Sequence, residues 1–207
     1  MGTRPSPTVG RQRGSTRIAI LEASVDLFGT RGFAAVSLDE IAGVVGVAKQ
    51  TLLYWFPSKD ELLDAVLEQT AVELATIIEA AVRAAPDEPL ARIEAVLKAV
   101  FRPAVRRPAL LGLVREVSRL APAHAERLTQ RVQPFARRAT DYLREEMAAG
   151  RLRAADPGLV VALSYATVTG IATEPEVLRA VDWPVTAAGL RHLRNELVAF
   201  LLAALRP

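Results

Sequence analysis

Lys49, Gln50 and Thr51 stand in a row between Gly46 and Pro57, on a short stretch that also holds the apolar Val47 and Leu52. A lysine ammonium can donate to guanine, and a glutamine amide can bond adenine bidentately. The trio therefore suits the reading of base edges in a major groove. That work needs a short helix held by apolar anchors at a fixed angle on a preceding helix, with its polar N-terminal turn facing outward. Val47 and Leu52 are the candidate anchors. Other chemistries find no support. The chain has no cysteine, which excludes thiolate catalysis, disulfides and Cys-rich metal sites. Its two histidines, His124 and His192, stand far apart. No nucleophile–base pairing, metal-ligand spacing or phosphate loop is present. The expectation is a protein that is not an enzyme and needs neither metal nor cofactor.

The elements that must position the trio can be read around it. Ser37-Leu38-Asp39-Glu40 is a capping box, which opens a short helix with Leu38, Ile41 and Ala42 inward. Gly46 ends that helix, and a second short one runs from near Val47 or Ala48 to about Phe56, where Pro57 blocks continuation. Together they describe a helix-turn-helix. Upstream, Ile18, Leu21, Val25 and Phe28 mark one face of a helix over about 16–31, ended by Arg31-Gly32. Residues 1–14, with two Pro and three Gly, read as a disordered basic arm. Ser58-Lys59-Asp60-Glu61 is a second capping box at the head of a long helix to about Ala84. Further helices are expected near 88–106, 108–120, 123–149, 157–180 and 186–205, with Pro103, Pro134 and Pro175 kinking or interrupting them. No strand-length alternation of period two appears, so the fold class is all-α. The domains expected are the arm at 1–14, a helix-turn-helix domain at 15–57 and a helical domain at 58–207.

The net charge of +3 is uneven. Residues 1–59 hold seven basic and four acidic side chains, while the remaining 19 of each sign fall in 60–207. The N-terminal quarter thus carries all of the excess, in keeping with a polyanion partner. No apolar run reaches the roughly 18 residues a membrane span requires, and no apolar segment follows the basic start. A soluble, cytoplasmic protein without a membrane partner is expected.

Phe28-Gly29-Thr30-Arg31-Gly32-Phe33, Val36 to Ala42, Gly46 to Leu52 and Phe56 to Leu62 together resemble the DNA-binding domain of the tetracycline-repressor (TetR) family of transcriptional regulators. The resemblance covers about residues 16–63. It implies phosphate contacts for Ser37 and Lys59 at helix starts, where anions are favoured, and a DNA contact for Thr51. Lys49 and Gln50 occupy its exposed recognition positions. The chain departs from the usual pattern with Ala48 in place of Ser or Thr, with Gln50, and with Leu53-Tyr54-Trp55 where the usual tyrosine stands one place earlier. Tyr54 and Trp55 can either touch the sugar-phosphate backbone or pack inside the small domain. Arg11, Arg13 and Arg17 can add phosphate or minor-groove contacts.

The resemblance further implies a C-terminal helical domain that dimerises and binds an effector. Leu190, Leu193, Leu197 and Phe200 form an apolar stripe on the last helix, and Leu163 and Val168 lie on the preceding one. These six are the expected dimer residues, with the protomer core as the competing use. Phe101, Leu111, Val114, Arg115, Phe135, Tyr142 and Tyr165 are candidates for an effector pocket, against ordinary core packing or, for Arg115, an ion pair with Glu116. The expected function is a homodimeric repressor released from a palindromic double-stranded DNA operator by a small molecule. An activator or ligand-independent DNA binder on the same fold, and a helical carrier without DNA function, are the alternatives.

Overall fold

The computed structural model describes residues 7–107, 109–119, 122–173, 175–184 and 186–207. Among them the chain forms ten α-helices and no strand: α1 (Pro7–Arg31), α2 (Leu38–Val45), α3 (Lys49–Trp55), α4 (Lys59–Ala84), α5 (Pro89–Arg106), α6 (Ala109–Arg119), α7 (Pro122–Ala148), α8 (Pro157–Thr173), α9 (Pro175–Ala180) and α10 (Ala187–Ala203). The all-α reading holds. No described helix is long and apolar enough to cross a membrane, and no cluster of three metal-ligating side chains occurs among the described residues.

One expectation about helix limits needs correction. The arm at 1–14 is helical from Pro7 onward, as the start of α1; residues 1–6 lie outside the described residues. Proline suits the first turn of a helix, because its missing N–H would have no partner there, and its ring presets the helical φ. The stretch expected as helical at 157–180 holds α8 and α9, and residue 174 between them lies outside the described residues. Pro134 lies inside α7, which continues through it. On α1 the buried face is Ile20, Leu21, Ser24, Val25 and Phe28, whereas Ile18 stands at the rim of that arc and is 49% exposed. The Ser24 hydroxyl is buried without cost to the core because it donates to the Ile20 carbonyl at 2.7 Å.

The N-terminal domain has one continuous core. Residues of α1, Val36, Ile41 of α2, Leu52 of α3, Phe56 and the first turns of α4 (Leu62, Leu63, Val66, Leu67) pack together. Two further members, Leu113 and Val117, come from α6 and are fully buried. Each such side chain contributes about 1.5–3 kcal/mol by its burial, so the small domain is completed by a helix from far down the chain. Polar contacts reinforce the seam. The Glu116 carboxylate accepts the Phe33 N–H at 2.8 Å, the Arg107 guanidinium donates to Asp26 at 2.8 Å, and it also donates to the Glu22 carbonyl at 2.7 Å. Hydrogen bonding to Asp26 raises the Arg107 pKa above its ordinary value. The backbones themselves touch. A Cβ on Gly29 would lie 1.9 Å from the Ala109 carbonyl oxygen, and one on Gly112 would lie 1.9 Å from the Gly29 oxygen. Gly29 and Gly112 are thus close-approach residues.

The remaining helices build a looser body. Phe101 of α5, Val168 of α8 and Leu197 and Leu201 of α10 form one cluster. Leu143, Leu152 and Leu205 form another. Helix α7 is tied to α4 by Arg127 with Asp64 and by Arg131 with Glu68 at 3.1 Å.

Candidate nucleic-acid interface

The geometry of the reading motif follows from local chemistry. Ser37, in extended conformation, caps α2: its hydroxyl accepts the Glu40 N–H at 3.2 Å, and the Glu40 carboxylate accepts the Ser37 N–H at 2.8 Å. Glu40 also accepts from Arg31 at 2.8 Å. The Ser37 backbone bond first, and Arg31 second, hold the Glu40 carboxyl below the usual carboxylate range. Gly46 then ends α2 in the left-handed conformation, with φ at 76°, which only glycine adopts freely. The Val47 N–H returns to the Ala42 carbonyl at 2.9 Å, so the turn is fixed at both sides. Helix α3 follows, anchored by Leu52, which is completely buried.

That anchoring leaves the first turn of α3 outward. Lys49 and Gln50 are exposed and Thr51 is half-buried. Lys49 is not a free cation, because its ammonium donates to Asp39 of α2 at 2.7 Å. Tyr54 is 72% exposed. Trp55 packs against the domain core, and the two rings meet edge to face at 5.3 Å. Of the two uses open to these aromatics, the outward one therefore falls to Tyr54, while Trp55 is half-buried against the core. Ala48 provides no side-chain cap for α3.

At the head of α4, the Ser58 hydroxyl accepts the Glu61 N–H at 3.1 Å. The reciprocal half of the expected box is altered: the Glu61 carboxylate pairs with the Ser58 hydroxyl at 3.3 Å instead of the cap N–H. Lys59 lies over the Phe33 ring, with its ammonium 4.3 Å from the centroid. Burial lowers its pKa, against the opposing pull of Asp60 and Glu40. A second cation–π contact sets the Arg17 guanidinium 5.4 Å from the Phe56 centroid. Ser37, Lys49, Gln50, Thr51, Tyr54 and Lys59 thus all belong to α2, α3 and the start of α4. Phe33 and Glu116 are residues that reasoning from the sequence missed as organisers. Phe33 supports Lys59 with its ring, and its N–H is held by Glu116 from α6. Phe33 was visible as part of a motif, but nothing in the spacing signals a partner 83 residues away.

The expected effector residues whose side chains are described lie in different surroundings. Phe101 is buried in the cluster with Val168 and Leu197. Val114 and Phe135 are half-buried, Phe135 beneath Arg138 at 5.3 Å. Tyr142 lines a separate polar cleft of about 350 Å³ with Asp87, Pro89, Glu146 and Arg151. Its hydroxyl meets Arg92, and burial first, then Glu146, raises its pKa. Tyr165 is 47% exposed. The side chains of Leu111 and Arg115 lie outside the described residues, and Glu116, the possible partner of Arg115, bonds Phe33. Among the expected dimer residues, Val168 and Leu197 face the protomer interior with Phe101, because α5 packs against that side of α8 and α10. Leu163 and Phe200 are 57% and 68% exposed, and Leu190 and Leu193 are half-buried.

Residues 20–66 match the family model described as bacterial regulatory proteins, tetR family. The helix-turn-helix segment of the chain is thus of the tetR-family kind. The chain is 51% identical over 51 residues to the HTH-type transcriptional regulator RutR of Escherichia coli K12, a match that covers 25% of this chain and 24% of that one. It thus spans about a quarter of the length of that relative. A longer, weaker likeness, 24% identity over 163 residues, joins it to the HTH-type transcriptional regulator EthR of Mycolicibacterium smegmatis and covers 79% and 73% of the two chains. The transcriptional regulator FadR of Bacillus subtilis, solved with stearoyl-CoA, shares the fold at a TM-score of 0.77 and 16% identity, over 90% of this chain and 98% of that one.

Proposed function

We propose that this chain is a homodimeric transcriptional repressor of the cytoplasm that binds a palindromic operator and is released from it by a small-molecule effector. The observation that carries the reading is the outward first turn of α3, with Lys49, Gln50 and Thr51, set on the rigid Gly46 turn between two helix starts, at Ser37 and Lys59. In this reading Lys49 and Gln50 meet base edges, Thr51 and Tyr54 meet the duplex beside them, and Ser37 and Lys59 hold phosphates. Trp55 supports the helix from within.

A homodimer is supported by the outward apolar side chains of Leu159, Leu163 and Phe200. Two-fold symmetry would place two heads on successive major grooves. Effector control is supported by α6, which belongs to the helical body in sequence and to the head in packing. A ligand that favours one position of α6 would favour one position of the head, to the extent that its affinity differs between the two. Effector control is supported too by the Bacillus regulator of similar fold, which was solved in complex with stearoyl-CoA.

The test is selection of bound fragments from a genomic library, followed by titration of the purified protein against the selected DNA and against random DNA at two salt concentrations. Preference for the selected fragment, a steep salt dependence and loss of preference in the Lys49→Ala, Thr51→Ala double variant are expected. Equal, weak binding to both DNAs would overturn the reading.

A further inference from the structure

We infer that Asp39 is a specificity-determining residue of the reading head, which holds the Lys49 ammonium so that it meets a base edge and not a phosphate. The inference rests on the DNA-reading function above. Asp39 lies in the first turn of α2 and Lys49 is the first residue of α3. Their side chains are 64% and 45% exposed and meet at 2.7 Å. An ion pair so open to solvent contributes little to folding. Nor does a carboxylate help general affinity on a surface meant for a polyanion, since it repels the phosphates that dominate such binding. Its position is therefore costly for affinity and only modestly favourable for stability, through its place in the first turn of α2.

A restraint on Lys49 accounts for both. The lysine stem is long and flexible, and a free ammonium is a point charge that would seek the nearest phosphate. The bond to Asp39 occupies one of its three N–H donors and fixes the other two. Those two suit the O6 and N7 acceptors that guanine presents side by side in the major groove. The tether runs from α2 to α3, so it also draws on the fixed geometry of the Gly46 turn. Asp39 acts through Lys49 and is a positioning residue.

The experiment compares the wild type with Asp39→Asn, Asp39→Glu, Lys49→Ala and the Asp39→Asn, Lys49→Ala double variant. Each is titrated against the selected operator fragment and random DNA over a range of salt. In Asp39→Asn the affinity for random DNA is expected to rise, with its salt slope steeper by about one phosphate contact. The operator-to-random ratio is expected to fall by at least about fivefold. Asp39→Glu keeps the charge and should retain most of the ratio. In the Lys49→Ala background, Asp39→Asn should leave the ratio unchanged. Far-ultraviolet circular dichroism and thermal melting would confirm that each variant is folded. A uniform gain on both DNAs, or the same loss of ratio with and without Lys49, would overturn the inference while leaving the reading function intact. A wild type with no preference for any fragment would overturn both.

Discussion

The reading head and the helical body solve the problem of burial differently. The head gathers α1, α2, α3 and the start of α4 around one core whose central side chains are fully enclosed. It is complete only because α6 adds Leu113 and Val117. Among the described residues, the body holds two small apolar clusters and leaves Leu159, Leu163, Tyr165 and Phe200 substantially exposed. The lesson is that rigidity sits where a fixed angle between helices is required, and exposed apolar surface sits on the helices that the proposed homodimer would use. The seam between the two is close-packed backbone, at Gly29 and Gly112.

The largest effect should come from removing the body's contribution to the head. Leu113→Ala should destabilise the protein by about 2–5 kcal/mol, the range for a buried leucine whose cavity cannot collapse fully, as measured by urea denaturation. A change of less than 1 kcal/mol would mean that the head folds without α6. Next comes the seam. Gly112→Ala puts a methyl into the Gly29 carbonyl and should cost about 1–3 kcal/mol. Because this pushes the two helices apart, operator affinity should fall with it, unlike for an equally destabilising change within the body.

The unfinished surface gives a contrasting expectation. Phe200→Glu should leave the protomer folded, since the side chain is 68% exposed, but shift sedimentation from dimer to monomer. Retention of the dimer would remove α10 from the interface. A smaller effect is expected at the cap. Ser37→Ala should cost about 1 kcal/mol, and a separate pH dependence comes from the Glu40 carboxyl. That carboxyl has a folded pKa below its ordinary value of 4.5, chiefly through the Ser37 N–H. Its contribution is therefore fully present above the ordinary value and is lost as pH falls through the lowered one. Melting curves of the wild type and Glu40→Gln should converge in that acid range and differ at neutral pH.

How much of this was legible in the sequence depends on the range of the interactions. Capping at Ser37 and the glycine stop at Gly46 involve neighbours within a few residues, and both were readable. So was the outward placement of Lys49 and Gln50, which follows from Leu52 facing inward. The Lys49 partner was not readable, because Asp39 and Lys49 meet only once the turn is folded. The part played by α6 was hidden as well. Leu113, Glu116 and Gly112 look like ordinary residues of an amphipathic helix until α1 is laid against them. The effector and dimer residues were least legible, since α8 and α10 are apolar around much of their circumference. Periodicity could not say that Val168 and Leu197 point inward while Leu163 and Phe200 point outward.

The central claim, that two copies of this head read one operator, is tested most directly by footprinting the selected fragment with the purified protein. Two protected half-sites related by two-fold symmetry, about one helical turn or a multiple of it apart, are expected, both lost together in the Lys49→Ala, Thr51→Ala variant. Protection of a single half-site, or protection that survives in that variant, would contradict it.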